Sequence, residues 1–135
     1  MSAKPTLDEL LTLHKNGKLA VQSTCELKTL SDLRKIYTPG VAQVCLHIKD
    51  HPETYIDYTM IGHTVAVVTN GTAILGLGDI GPLAGMPVME GKAVLLKAMG
   101  GVDAFPILID SHDPDVIVET VANIHTGFGA IMLED

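Results

Sequence analysis

Four side chains in this sequence could do chemistry: Tyr37, Lys92, Glu134 and Asp135. Glu134 and Asp135 are adjacent carboxylates that follow the apolar run Gly127 to Leu133. Two hard oxygen donors suit Mg²⁺ or Mn²⁺, which keep several waters and take further ligands from a substrate. Neighbouring residues of an extended strand point to opposite faces, so both acids reach one cation only if the chain turns there. Lys92 follows Gly91 near the expected start of a helix. A cation in a first helical turn faces the positive end of the helix dipole, an unfavourable placement that favours use of the amine as a base. Tyr37 precedes Thr38-Pro39-Gly40, a break between two helical patterns, where a side chain can be aimed. Each residue has a plainer alternative when read locally. Tyr37 could be a helix-end tyrosine with its hydroxyl in water, Lys92 a solvated partner of Glu90, and the two acids a frayed terminus.

The elements that must position these groups are legible in the pattern of caps and apolar runs. Thr6 with Glu9 forms a capping box, Leu7, Leu10 and Leu11 form one apolar face, and Asn16-Gly17 supplies a stop. Thr29 with Asp32 repeats the pattern ahead of a short helix that runs into Tyr37. Val41, Val44, Cys45 and Ile48 sit at helical spacing, and His51-Pro52 ends that segment. Pro52 to Met60 has room for a helical turn or more. Thr64 to Thr69 is a β-branched apolar run and predicts a buried strand. Asn70-Gly71 is a strong hairpin signal and predicts that Ala73 to Leu75 returns antiparallel to that strand. A helix is expected from about Met89 to Met99, with Ala93, Leu95, Leu96 and Met99 inward and Gly100-Gly101 closing it. Ala104 to Ile109 predicts a second strand. Asp113 caps a helix with Pro114 at its first position, and Val116, Ile117, Thr120, Val121 and Ile124 form its expected buried face. Gly127 to Leu133 predicts a third strand. The fold class is therefore α/β: N-terminal helices, then a small mostly parallel sheet with flanking helices and one β-hairpin at Val65–Leu75.

Glycine is unusually dense between Val65 and Gly101, and Gly76-Leu77-Gly78-Asp79-Ile80-Gly81 matches G-x-G-x-x-G. Asp103 lies near the spacing of an acidic ribose ligand. The dinucleotide fingerprint needs a helix that opens on the third glycine. Pro82, Gly85 and Pro87 argue that no helix starts until after them, so this loop is not read as a cofactor site. No Gly-Lys-Ser/Thr closes it as a phosphate loop either, because Gly91-Lys92 is followed by Ala93.

Composition bounds the function. A length of 135 residues suits one domain, 1–135, and an apolar share of 47% is enough for a core built from aliphatic residues in the absence of Trp. A net charge of −7, with no basic run, argues against a nucleic-acid partner. No apolar run is long enough to cross a bilayer, and the N-terminus does not read as a signal peptide. Cys25 and Cys45 fit no metal pattern and are expected to be reduced thiols of a cytoplasmic protein.

Four segments then change the weights. Ile36-Tyr37-Thr38-Pro39-Gly40-Val41-Ala42, the run Val68 to Gly81, Pro87-Val88-Met89-Glu90-Gly91-Lys92, and Phe128 to Asp135 occur in this order. Together they closely resemble the N-terminal domain of malic enzymes of the compact bacterial type. The resemblance implies oxidative decarboxylation of malate to pyruvate and CO₂ with NAD or NADP and Mg²⁺ or Mn²⁺. By position it implies that Tyr37 is the general acid, that Lys92 is the general base for the malate C2 hydroxyl, and that Glu134 and Asp135 are two of three metal-binding acids. It also implies a homodimer. Two departures stand out: Ala73 occupies the place of an arginine found in larger eukaryotic-type members, and Met132 replaces an asparagine common beside the metal acids in bacteria. The third acid and the nucleotide-binding domain that follow in the family lie beyond Asp135, so the 135-residue chain is expected to be inactive by itself. Two other readings compete: a non-catalytic homodimerisation or regulatory module built on the amphipathic N-terminal helices, and a free-standing nucleotide-binding domain built on the glycine loop.

Overall fold

The computed structural model describes residues 4–135. The signal-peptide reading rests partly on residues 1–3, which lie outside the described residues. In chain order the elements are α1 (Leu7–His14), α2 (Leu30–Ile36), α3 (Val41–Asp50), α4 (Tyr55–Tyr58), β1 (Thr64–Thr69), α5 (Pro82–Gly100), β2 (Asp103–Leu108), α6 (Pro114–Ile124) and β3 (Ala130–Leu133). Short 3-10 turns at Pro52–Thr54, Met60–His63 and His125–Gly127 link them. The chain divides into two compact units, one holding α1 with His63–Asp135 and the other holding Ala20–Gly62.

The first unit is a three-stranded parallel sheet in the order β2-β1-β3. β1 is central and buried on both faces, as the β-branched run predicts for a parallel strand. Its side chains alternate. Val67 faces Met89 and Ala93 of α5 together with Ile74 and Ala104. Ala66 and Val68 face the other way, with Ile109 buried beside them and Ile117, Val121, Phe128 and Ile131 packed against them. The sheet is thus sandwiched between α5 and α6. Ile74 and Met89 are fully buried, and each such side chain contributes about 2 kcal/mol through removal of apolar surface from water.

The hairpin predicted at Val65–Leu75 does not form. β1 has β2 on one side and β3 on the other, so no edge is free to receive an antiparallel return. Asn70-Gly71 instead turns the chain away from the sheet, and Ile74 makes an isolated antiparallel bridge to Gly78. The helix start also differs: α5 begins at Pro82 rather than near Met89. Pro82 occupies a first-turn position, where a missing N–H costs nothing. Pro87 lies inside the helix and has no N–H to give the Leu83 carbonyl. Packing of Gly85, Met89 and Ala93 against the sheet side holds the helix through that gap. The early start also sets the buried face. Ala93 and Leu96 point inward, whereas Leu95 and Met99, about 160° and 120° around the helix from Ala93, are exposed. On α6, Ile117 and Val121 pack on the core and Val116 is exposed.

Capping follows the expected chemistry. Thr6 and Glu9, and Thr29 and Asp32, form reciprocal capping boxes, and Asp113 accepts from the Asp115 N–H. Hydrogen bonds donated by Thr6 and Thr29 hold the Glu9 and Asp32 carboxyls below the usual carboxylate range. Leu7 and Leu11 of α1 remain exposed. Cys25 and Cys45 are both free and exposed. Among the described residues, no helix is long and apolar enough to cross a membrane.

Candidate active site

Parallel sheets gather ligands at the carboxyl ends of their strands. At that end Lys92 Nζ lies 2.9 Å from Glu134 Oε1, with side chains 36% and 20% exposed. Glu134 is fixed by its backbone, since its N–H donates to the Val68 carbonyl at 2.8 Å and continues the β3 ladder past Leu133. Lys92 comes from the middle of α5, not from a first turn. The expected opposition to the helix dipole therefore does not apply, because that effect fades within one turn. Nor is Glu90 its partner. The Glu90 carboxylate accepts the Lys18 N–H at 3.3 Å, and the Lys18 ammonium donates to the Pro87 carbonyl at 2.7 Å.

Asp135 adopts a left-handed backbone, φ 38, so extended geometry ends at the acid pair. The Asp135 carbonyl accepts from the Thr69 hydroxyl at 3.0 Å and from the Ala73 N–H at 3.2 Å. Thr69, almost fully buried, also accepts the Gly71 N–H at 2.9 Å. Asn70 completes the frame: its amide donates to the Ser111 carbonyl at 3.0 Å and its Oδ1 accepts from the Thr72 hydroxyl at 2.8 Å. Val68, Thr69, Asn70, Ile117, Leu133, Glu134 and Asp135 line an open cavity of about 270 Å³. Thr69 and Asn70 were not singled out as site residues in the sequence. Their signal was present, since Thr and Asn beside Gly at a strand end are residues that fold a loop back on itself.

The donor set of Glu134 and Asp135 fits a hard divalent ion that keeps most of its waters. Among the described residues no group of three His, Cys, Asp or Glu side chains could hold a metal ion. Glu134 and Asp135 by themselves offer two such donors.

The end of the glycine loop folds back on its start. The Ile80 and Gly81 N–H groups both donate to the Gly71 carbonyl at 3.2 Å. A Cβ on Gly71 would run into the Gly81 carbonyl and the Pro82 nitrogen. The helix does open directly after Gly81, contrary to the expectation from Pro82, Gly85 and Pro87. The fingerprint geometry is still lacking, because residues 70–75 separate the end of β1 from Gly76. Asp103 pairs with Thr64 at the opposite end of β1, about 16 Å along the strand from Thr69. There its carboxylate bonds the Lys97 ammonium at 2.7 Å and His63 Nδ1 at 3.0 Å. The Lys97 hydrogen bond, with the Lys97 charge and His63 adding to it against some desolvation, holds the Asp103 carboxyl below the usual range.

Tyr37 lies in the other unit. It is the C-cap of α2, its N–H bonds the Leu33 carbonyl at 2.9 Å, and its carbonyl accepts the Val41 N–H at 2.9 Å. The helix break is tight there: a Cβ on Gly40 would lie 2.5 Å from the Arg34 carbonyl oxygen. The Tyr37 side chain is 66% exposed, so it is not a core tyrosine.

Comparison with known proteins identifies the family and the fold. The family model of the malic enzyme N-terminal domain matches residues 14–121. NAD-dependent malic enzyme 1 of Bacillus subtilis is 51% identical over 128 residues, covering 95% of this chain and 29% of that protein. The NADP-dependent malic enzyme of Escherichia coli is 52% identical over 119 residues, covering 88% of this chain and 16% of that protein. The crystal structure of malic enzyme from Pyrococcus horikoshii superimposes with a TM-score of 0.91 at 48% identity, covering 95% of this chain and 31% of that one. The chain thus spans less than a third of the length of these relatives. Over that span the family match, the identities and the shared fold agree, and the chain belongs to the malic enzyme N-terminal domain family.

Proposed function

We propose that this chain supplies the malate- and metal-binding half of a malic enzyme, which converts malate to pyruvate and CO₂ while reducing NAD or NADP. The observation that carries the reading is the Lys92–Glu134 pair at the carboxyl edge of the sheet, beside Asp135. Glu134 and Asp135 would hold Mg²⁺ or Mn²⁺. A bound ion of this kind polarises the C2 oxygen of malate and stabilises enolate charge after CO₂ leaves. Lys92 accepts the C2 hydroxyl proton, and its contact with Glu134 keeps the amine at the metal edge. Tyr37, exposed at its helix break, delivers a proton to the enol carbon. The nicotinamide cofactor is held mainly by residues outside this chain, a reading supported by the Ile80 and Gly81 N–H groups, which are both spent on the Gly71 carbonyl. A homodimer is part of the proposal and is supported by the exposed leucines of α1 and α2, including Leu7, Leu11 and Leu30. So is a cytoplasmic setting, which the two unpaired, exposed thiols favour.

The test is a chimera in which this segment replaces the matching segment of a full-length bacterial relative. Malate-dependent cofactor reduction with Mn²⁺ is expected from the chimera and not from the 135-residue chain alone. A folded chimera that binds cofactor but never consumes malate overturns the reading. Turnover by the isolated chain overturns the division of labour. Sedimentation of the chain as a strict monomer at high concentration removes the homodimer. That same monomer also argues against a purely dimerising module, the reading that the exposed leucines favour as the alternative.

A further inference from the structure

His47 and His51 stand four residues apart at the end of α3. The last backbone bond of that helix joins these two residues, the His51 N–H donating to the His47 carbonyl at 2.8 Å. His51 is the C-cap of α3, with φ −131 and ψ 73, so the pair straddles the helix end and the ring contact itself sets their approach. The ring centres are 5.0 Å apart and the ring planes are inclined by 44°. Tyr58 of α4 packs edge-on against the His47 ring at 5.4 Å and restricts its orientation. Among the described residues, neither imidazole has a hydrogen bond or an ion pair with protein. His63, His112 and His125 differ in this respect: they pair with Asp103, Asp79 and the Ala122 carbonyl.

That separation matches a shared ion. With a metal–nitrogen bond of about 2.05 Å a ring centre sits about 3.2 Å from the metal, so two imidazoles at a tetrahedral angle have centres about 5.2 Å apart. Imidazole nitrogen selects borderline ions such as Zn²⁺, Ni²⁺ and Cu²⁺ over Mg²⁺. Two histidines four residues apart are also the spacing through which many zinc sites are read from sequence; here His47 lies in α3 and His51 caps it. A depression of about 230 Å³ lined by Gln43, Val44, His47 and Tyr58 lies beside the His47 ring and leaves room there for water on a bound ion. The absence of any three-residue ligand group among the described residues makes this a two-point, exchangeable site. We propose that His47 and His51 chelate one divalent transition-metal ion of the zinc class. This site is separate in residues and chemistry from the carboxylate pair Glu134 and Asp135.

The test uses the whole chain carrying Glu134→Gln and Asp135→Asn, which removes the oxygen donors and makes the result independent of the malic enzyme reading. Calorimetric titration with Zn²⁺ or Ni²⁺ is expected to show one ion per chain. His47→Ala and His51→Ala are each expected to weaken binding at least about tenfold, the difference between two imidazole ligands and one. His14→Ala is expected to leave binding unchanged. A measurement without histidine substitution guards against misfolding: substoichiometric Cu²⁺ should broaden the ring resonances of His47 and His51 before those of the other four histidines. Unchanged affinity in both alanine variants, or earlier broadening of His14 or His112, overturns the proposal.

Discussion

Three glycines of one loop separate backbone strain from steric exclusion. Gly76 has open space around it and no positive φ, so Gly76→Ala removes only unfolded-state freedom and should stabilise the chain by about 0.5 kcal/mol. Gly78 also has open space but sits at φ +75, so Gly78→Ala should cost about 1 kcal/mol of left-handed strain. Gly71 has the same φ of +75 and no space, because its Cβ would meet the Gly81 carbonyl and the Pro82 nitrogen, all backbone atoms. No side chain can rotate away, so the loop must separate from the first turn of α5. Strain plus overpacking puts Gly71→Ala at about 3 kcal/mol. For a chain of this size each kcal/mol shifts Tm by about 4 °C, so the series should read about +2, −4 and −12 °C in a thermal melt followed by circular dichroism. Equal effects at Gly71 and Gly78 would refute the claim that the Gly71–Gly81 contact seats the helix that carries Lys92.

Further outcomes follow from the packing and the charges. Ile74→Ala should cost about 3 kcal/mol in urea unfolding, since its buried methyl groups lie over Gly85, which has no side chain to fill the cavity. Asp103→Asn should lower Tm at pH 7, with an effect that shrinks as pH falls below about 4. The Asp103 carboxyl is held low in the folded chain, so its contribution is full above the ordinary carboxylate value of about 4 and is lost as pH falls from there through the lower folded value. With the side chain 39% exposed, solvent screens the two pairs to about 1 kcal/mol or less. Lys92→Met in the chimera should reduce kcat by about 100-fold or more while Tm moves by only a few degrees, and a kcat within threefold of the parent would remove Lys92 from the proton-transfer step.

Elements set by local chemistry were legible in the sequence. The β-branched run Thr64 to Thr69 is the observed β1, and the Thr6, Thr29 and Asp113 caps open their helices as read. What failed was set by long-range structure. Asn70-Gly71 carries a local hairpin signal, but both edges of β1 are taken by strands that arrive tens of residues later. Gly85 and Pro87 are poor helix residues by themselves. In the fold Gly85 is the position where Ile74 presses closest, its Cδ1 lying 2.6 Å from where a Cβ would stand. The side-chain partner of Lys92 could not be read from neighbours in sequence, because Glu134 reaches it only through the crossover that places β3 beside β1.

The strand order also decides where this sheet can grow. β2 and β3 are the two outer strands, and each has one side without a partner among the described residues. Pro106 sits in the middle of β2, opposite Val67, and a proline is tolerated only where its missing donor faces away from the ladder. A strand approaching β2 from outside would therefore find the hydrogen-bond row interrupted. β3 has no proline, and its four residues run directly into Glu134. The hydrogen-bond row is interrupted on one flank of the sheet and continuous on the other, where β3 runs into the two carboxylates.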